Sequence, residues 1–111
     1  MRHVATQDPL TEPVFLILLS LSSEPRHGYA LMKEITELSG GRVKLSTGTL
    51  YGALHRLLAA GWIERFAQDD TSREKQAYRL TRTGMKALRA ELDRMKQLTR
   101  AAAARLLWKE A

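Results

Sequence analysis

LSTGTLYGALHRLLAAGWIE, Leu45 to Glu64, opens on small polar residues and glycine, turns helical, and halts at Gly61 before an aromatic, strand-like continuation. Leu50, Leu54, Leu57 and Leu58 recur at i, i+4, i+7 and i+8, which places them on one side of a helix. By the same period Gly48, Gly52, His55, Arg56 and Ala59 fall on the opposite side. A helix that only filled a core would need neither a hydroxyl- and glycine-rich opening nor an imidazole and a guanidinium on its far face. Gly61 is placed to end it, as glycines after helices do.

Outward from this helix the rest of the chain falls into order. Residues 1–12 read as a loose arm. Thr11 is a candidate cap and Pro13 a helix-opening residue for Val14–Leu21, which is apolar almost all round and must be covered on most sides. Pro25 and Gly28 punctuate the segment after Leu21. A second helix is expected over Tyr29–Leu38, with Leu31, Ile35 and Leu38 inward and Lys33, Glu34 and Glu37 facing away; Gly40-Gly41 ends it. Downstream of the quoted stretch, WIERFA and QAYRLT read as two strands joined by a polar tip, QDDTSREK. Thr81 is then placed to cap a last helix running from Arg82 to nearly Lys109, with Gly84 a mild cost in its first turn.

In that last helix Met85, Leu88, Leu92, Met95, Thr99, Ala102 and Leu106 alternate at spacings of three and four, an a/d seam over about three heptads. A helix of that length is about 40 Å long at 1.5 Å per residue, more than so small a domain can cover. The seam therefore calls for a partner, most simply a second copy, with looser or closer packing at Thr99 and Ala102. Helix, helix, helix, hairpin, helix is a winged helix-turn-helix: a mainly α fold with a small β-hairpin, a domain over 13–80, and a dimerisation helix over 81–109.

Composition narrows the function. The chain has 111 residues, one small domain, and carries 18 Lys and Arg against 12 Asp and Glu, a net charge of +6 with an isoelectric point near 10.1. That balance favours a polyanionic partner. Cysteine is absent, which excludes disulfides and thiolate chemistry and fits a reducing cytoplasm. The apolar run Val14–Leu19 is far short of the roughly 20 residues a bilayer span needs, and no signal-peptide pattern opens the chain, so no membrane association is expected. His3, His27 and His55 are scattered without metal-ligand spacing, so no metal, no cofactor and no enzyme is expected.

The pieces fit a DNA-reading helix. A recognition helix enters the major groove by its N-terminal end, where small residues permit close approach and free N–H groups and hydroxyls meet phosphate oxygens. Ser46, Thr47, Gly48 and Thr49 supply that end, Tyr51 a longer hydroxyl beside it, and His55 and Arg56 a reach further along the groove. Arg73 and Lys75 lie in the wing, placed for phosphate contact. His27, Gly28 and Tyr29 open the second helix; they suit phosphate contact equally with a capped turn and a core-packed Tyr29. Trp108, near the end of the seam, suits either the floor of a cavity for a flat apolar ligand or packing on a partner copy. The rival for the whole arrangement is a winged helix whose basic face meets an acidic protein.

FLILLSLSSEPRHGYALMKEI, STGTLYGALHRLLAAGWIE and YRLTRTGMKAL resemble the PadR family of bacterial transcriptional regulators over about residues 13–95. The single C-terminal helix resembles the family's small subgroup. The resemblance implies a winged-helix homodimer that represses genes from palindromic operators and is released by a small-molecule inducer, often an aromatic acid or drug-like compound. It places the DNA-contacting motif on Ser46, Thr47, Gly48, Thr49 and Tyr51, preceded by His27, Gly28 and Tyr29 and followed by Arg73 and Lys75. Two positions depart from the family pattern: Gly52 replaces the usual proline after TLY, and Leu58 stands where an acidic residue often follows RL.

Overall fold

The computed structural model describes residues 8–66 and 76–110, with the side chains of 108–110 outside the described set. Helix α1 spans Glu12–Leu21, strand β1 Arg26–His27, α2 Gly28–Leu38, α3 Thr47–Ala60, β2 Ile63–Phe66, β3 Ala77–Leu80 and α4 Arg82–Glu110. The boundary residues act as their types predict. The Thr11 hydroxyl accepts the Val14 N–H at 3.3 Å, the Ser46 hydroxyl that of Thr49 at 3.1 Å, and the Thr81 hydroxyl that of Gly84 at 3.0 Å. Gly61 closes α3 with φ 77°, a left-handed conformation that lets the Trp62 N–H reach the Leu57 carbonyl at 3.0 Å.

The sheet corrects the expected hairpin. It has three antiparallel strands in the order β1-β3-β2, with Arg26 opposite Tyr78 and His27 opposite Ala77 on one side of β3, and Ile63 opposite Leu80 and Phe66 opposite Ala77 on the other. The added strand lies just after Pro25, in a segment that reads from sequence as a plain turn. It ties the α1–α2 connection to the wing. Arg26 strengthens that tie. Its Nε donates to the Ser20 carbonyl at 3.0 Å, and one terminal nitrogen donates both to Ser23 Oγ at 3.1 Å and to Glu34 at 3.4 Å.

The core lies where the three first helices meet the sheet and the start of α4. Ile17, Leu18, Leu31, Ile35 and Leu50 are fully enclosed, with Leu54 and Ile63 nearly so. Leu38, expected on the core side of α2, is 45% exposed at the last residue of that helix. Leu58, half-buried, packs at the edge of the core.

Helix α4 divides its apolar face between two settings. Gly84, Ala87, Leu88 and Glu91 are buried against the protomer. Leu88 belongs to the core cluster and Met85 packs against it, so these two members of the expected seam are covered within one chain. The reason is that α4 begins beside α1 and β3. Past Glu91 that cover stops. Leu92, Met95, Leu98 and Leu106 are 43%, 39%, 54% and 61% exposed. At 100° per residue Met95, Leu98, Ala102 and Leu106 continue the same face that Leu88 buries. Thr99 and Ala102 are exposed along it.

Glu91 is a buried acid that periodicity assigns to neither face. Its carboxylate accepts Arg94 Nε at 3.0 Å and a second Arg94 nitrogen at 2.5 Å, and the Leu10 backbone N–H at 3.3 Å. The Arg94 hydrogen bonds hold its carboxyl below the ordinary value of 4.5 against the opposing effect of burial. Leu10 is thereby docked, although it falls in the segment expected to be loose. Because the folded-state value is depressed, Glu91 contributes stability above its unfolded value, and the contribution fades as pH falls through the folded one. Urea titrations between pH 6 and pH 3 should show Glu91→Gln losing less stability over that window than wild type. Parallel curves would reject Glu91 as an acid-sensitive anchor.

Candidate nucleic-acid interface

The tip of α3 stands open. Ser46, Thr47, Gly48 and Thr49 are all exposed, and a Cβ built at Gly48 would meet nothing within 4 Å. The Ser46 hydroxyl is committed to the cap: it accepts from the Thr49 N–H and donates to Thr49 Oγ1 at 2.9 Å. That leaves the N–H groups of Thr47 and Gly48, orphaned as first-turn amides must be, and the Thr49 hydroxyl proton to face a ligand. His55 and Arg56, neighbours about two turns on from the tip, are both exposed. At Gly52 the Arg56 guanidinium passes 3.7 Å from the place a Cβ would take, an ordinary van der Waals distance. The Arg56 side chain thus lies back toward the tip, as helical side chains lean toward the N-terminus.

Tyr51 and Gly28 are joined in a way the sequence hides. A Cβ at Gly28 would overlap the Tyr51 hydroxyl oxygen and fall 2.9 Å from the ring carbon that bears it, so the ring of Tyr51 lies directly over the first residue of α2. Gly28 is itself buried. It is therefore not placed to touch a ligand, in contrast to its expected role; its absence of a side chain lets α2 and α3 meet through Tyr51. Tyr51, 37% exposed, keeps part of its edge toward solvent. Near it Tyr78 is buried, and burial raises its phenol above the ordinary 10.0, reinforced by Tyr51 and opposed by Arg65. The reading of Tyr29 as core-packed fails, because Tyr29 is 79% exposed. His27, the residue before α2, is half-buried, and its Nδ1 has no hydrogen-bond partner among the described residues.

On the wing strands Arg79 is occupied. It pairs with Glu64 at 2.6 Å and lies 4.9 Å over the Phe66 ring. Arg73 and Lys75 lie outside the described residues, as does the side chain of Trp108. Behind the α2–α3 turn, both Arg42 terminal nitrogens bond Glu12, one of them at 2.7 Å, clamping the turn to the start of α1. That pairing lowers the Glu12 carboxyl and raises the Arg42 guanidinium. Among the described residues no group of three or more His, Cys, Asp or Glu side chains could hold a metal ion, and no helix is long and apolar enough to cross a membrane.

Two helices meeting through a tyrosine, the second opening on a bare tip and followed by paired strands, define a winged helix-turn-helix protein. Residues 17–90 match the model of the transcriptional regulator PadR-like family, and the chain belongs to that family. The fold resembles a PadR family transcription regulator of Clostridium difficile R20291, with a TM-score of 0.72 at 23% identity over 86% of this chain and 99% of that one. It is also similar to a transcriptional regulator of Clostridium thermocellum, with a TM-score of 0.69 at 23% identity over 82% of this chain and 89% of that one. A 37.1 kDa uncharacterised protein in transposon TN4556 of Streptomyces fradiae is 36% identical over 84 residues, 76% of this chain; the chain spans 23% of that relative's length. The family to which the chain belongs is one of transcriptional regulators.

Proposed function

We propose that the protein is a homodimeric, sequence-specific DNA-binding regulator, a repressor acting in the cytoplasm on a palindromic operator and released by a small aromatic or drug-like inducer. The observation that carries the DNA part is the open tip of α3: two amides without a partner among the described residues, the Thr49 hydroxyl proton and no obstruction at Gly48, with Arg56 leaning toward them. The exposed apolar face of α4 beyond Glu91 supports the homodimer, since so long a run of apolar surface is covered in stable soluble proteins. Inducer release rests on family likeness, with Trp108 the residue proposed to meet the inducer.

Gel shifts on the chain's own upstream DNA and on random duplex test this reading. Thr49→Ala should cost about 1 kcal/mol on the operator and close to nothing on random DNA. Gly48→Leu is the sharper variant. Nothing within 4 Å opposes a side chain there, and leucine favours a helix over glycine, so folding survives while approach to the groove is blocked. Binding to the operator should fall at least tenfold. Equal losses on operator and random DNA would reject readout by this helix end. Binding to neither duplex at any salt concentration would favour the acidic-protein module.

A further inference from the structure

The charged side chains among the described residues are unequally engaged. Arg26 is held by Glu24 and Glu34, Arg42 by Glu12, Arg79 by Glu64 and Arg94 by Glu91. Lys33 and Lys44 have no ion pair among the described residues. Both border one groove, lined by Tyr29, Met32, Lys33, Thr36, Glu37, Lys44 and Leu45. One wall is the face of α2 that carries Tyr29, Lys33 and Glu37; the other is the segment Lys44-Leu45 that leads straight into the Ser46 cap of α3. Met32 and Leu45, half-buried against the core, give it an apolar floor. Tyr29 stands at one end, 79% exposed.

We propose that this groove seats the phosphodiester backbone flanking the bases that α3 reads, with Lys33 and Lys44 as its cationic contacts and the Tyr29 hydroxyl donating to a phosphate oxygen. This rests on the DNA reading above and adds residues to it; Lys33, by helical period alone, simply faces away from the core. The occupant follows from complementarity. Two ammonium groups on facing walls suit a ligand that is anionic on both sides, and the groove ends at the tip that enters the major groove. Met32 and Leu45 suit the sugar edges. Glu37, on the lining of the same groove, repels phosphate and marks where the strand leaves. With Lys33 four residues before Glu37, the pair has the less favourable helical order, so Lys33 stays available.

The test measures DNA affinity against salt for wild type and for Lys33→Ala/Lys44→Ala, on random duplex and on whatever operator wild type selects. Each phosphate neutralised contributes about 0.9 to the slope of log K against log[salt], so the double variant should lose about 2 from that slope. Between 50 mM and 200 mM salt the advantage of wild type over variant should then shrink roughly tenfold. Lys33→Arg/Lys44→Arg should restore the slope, and Glu37→Gln should tighten binding to both duplexes. Unchanged melting temperatures separate these effects from misfolding, since all three side chains are exposed. Wild-type and double-variant slopes that coincide while wild type binds DNA would overturn this inference and leave the DNA reading standing. Wild type without salt-dependent binding would overturn both. Competition of polyglutamate for the groove with DNA affinity unaltered would assign it to an acidic peptide and overturn the inference as well.

Discussion

Leu92→Glu/Met95→Glu is expected to turn the proposed homodimer into a monomer at micromolar concentration. Both side chains lie on α4 just beyond the last buried position, Glu91, and are 43% and 39% exposed in the single chain. In a twofold dimer each substitution acts twice. Fully burying an exposed leucine or methionine contributes about 1.5–3 kcal/mol, so covering the part of each that one chain leaves exposed contributes about 1 kcal/mol, and losing four such contacts costs about 4 kcal/mol, before the penalty of four carboxylates placed against apolar neighbours. At about 1.4 kcal/mol per tenfold, dimerisation weakens by at least about 10³. The fold of the protomer should survive, because its own core ends at Leu88 and Glu91. Sedimentation checks the mass, and circular dichroism the fold. A variant that stays dimeric would move the interface off α4.

Gly84→Ala should be the most damaging single methyl in the protein. Two effects compete. Replacing glycine by alanine inside a helix favours folding by about 1 kcal/mol. Here, however, the added Cβ would overlap the Trp62 carbonyl oxygen and sit 2.8 Å from a Leu80 methyl. The first of these is backbone, fixed by its hydrogen bond from the Thr81 N–H at 3.0 Å, so it has little freedom to yield. Overpacking of this kind costs about 1–3 kcal/mol and sometimes more, and with backbone in the way the upper part of that range applies. The net loss should be about 2 kcal/mol, measured as a lower urea midpoint with unchanged slope. A stabilised variant would mean that α4 shifts freely against the wing, and would remove the support for a rigid dimer arm.

The helices are legible in the sequence because their inward residues repeat. Leu50, Leu54 and Leu57 on α3, and Leu31 and Ile35 on α2, need only the 3.6-residue period, and Thr11, Ser46 and Thr81 are caps whose chemistry is local. The open tip of α3 is legible for the same reason. Strand β1 is not, because two residues carry no period and its existence depends on Tyr78 and Ala77 arriving alongside. Gly28 reads as a turn residue or a ligand contact; only the arrival of Tyr51 from another helix shows that it is a space left for a ring. Gly84 reads as a small flaw in a helix until the Trp62 carbonyl comes against it. The seam is half legible. Period identifies its face, but it cannot tell that Leu88 finds its cover inside the protomer while Leu92, Met95 and Leu106 do not. Glu91 is hidden because its two partners, a side chain one turn away and a backbone N–H 81 residues earlier, together make a buried carboxylate tolerable.

Two copies joined through α4 are proposed to present two α3 tips to one duplex, and selection of bound duplexes from a random-sequence pool tests this most directly. Enrichment of two inverted half-sites is expected, with centres about 10–10.5 base pairs, or a multiple of that, apart. Enrichment of a single unrepeated half-site, or no enrichment above the starting pool, would contradict it.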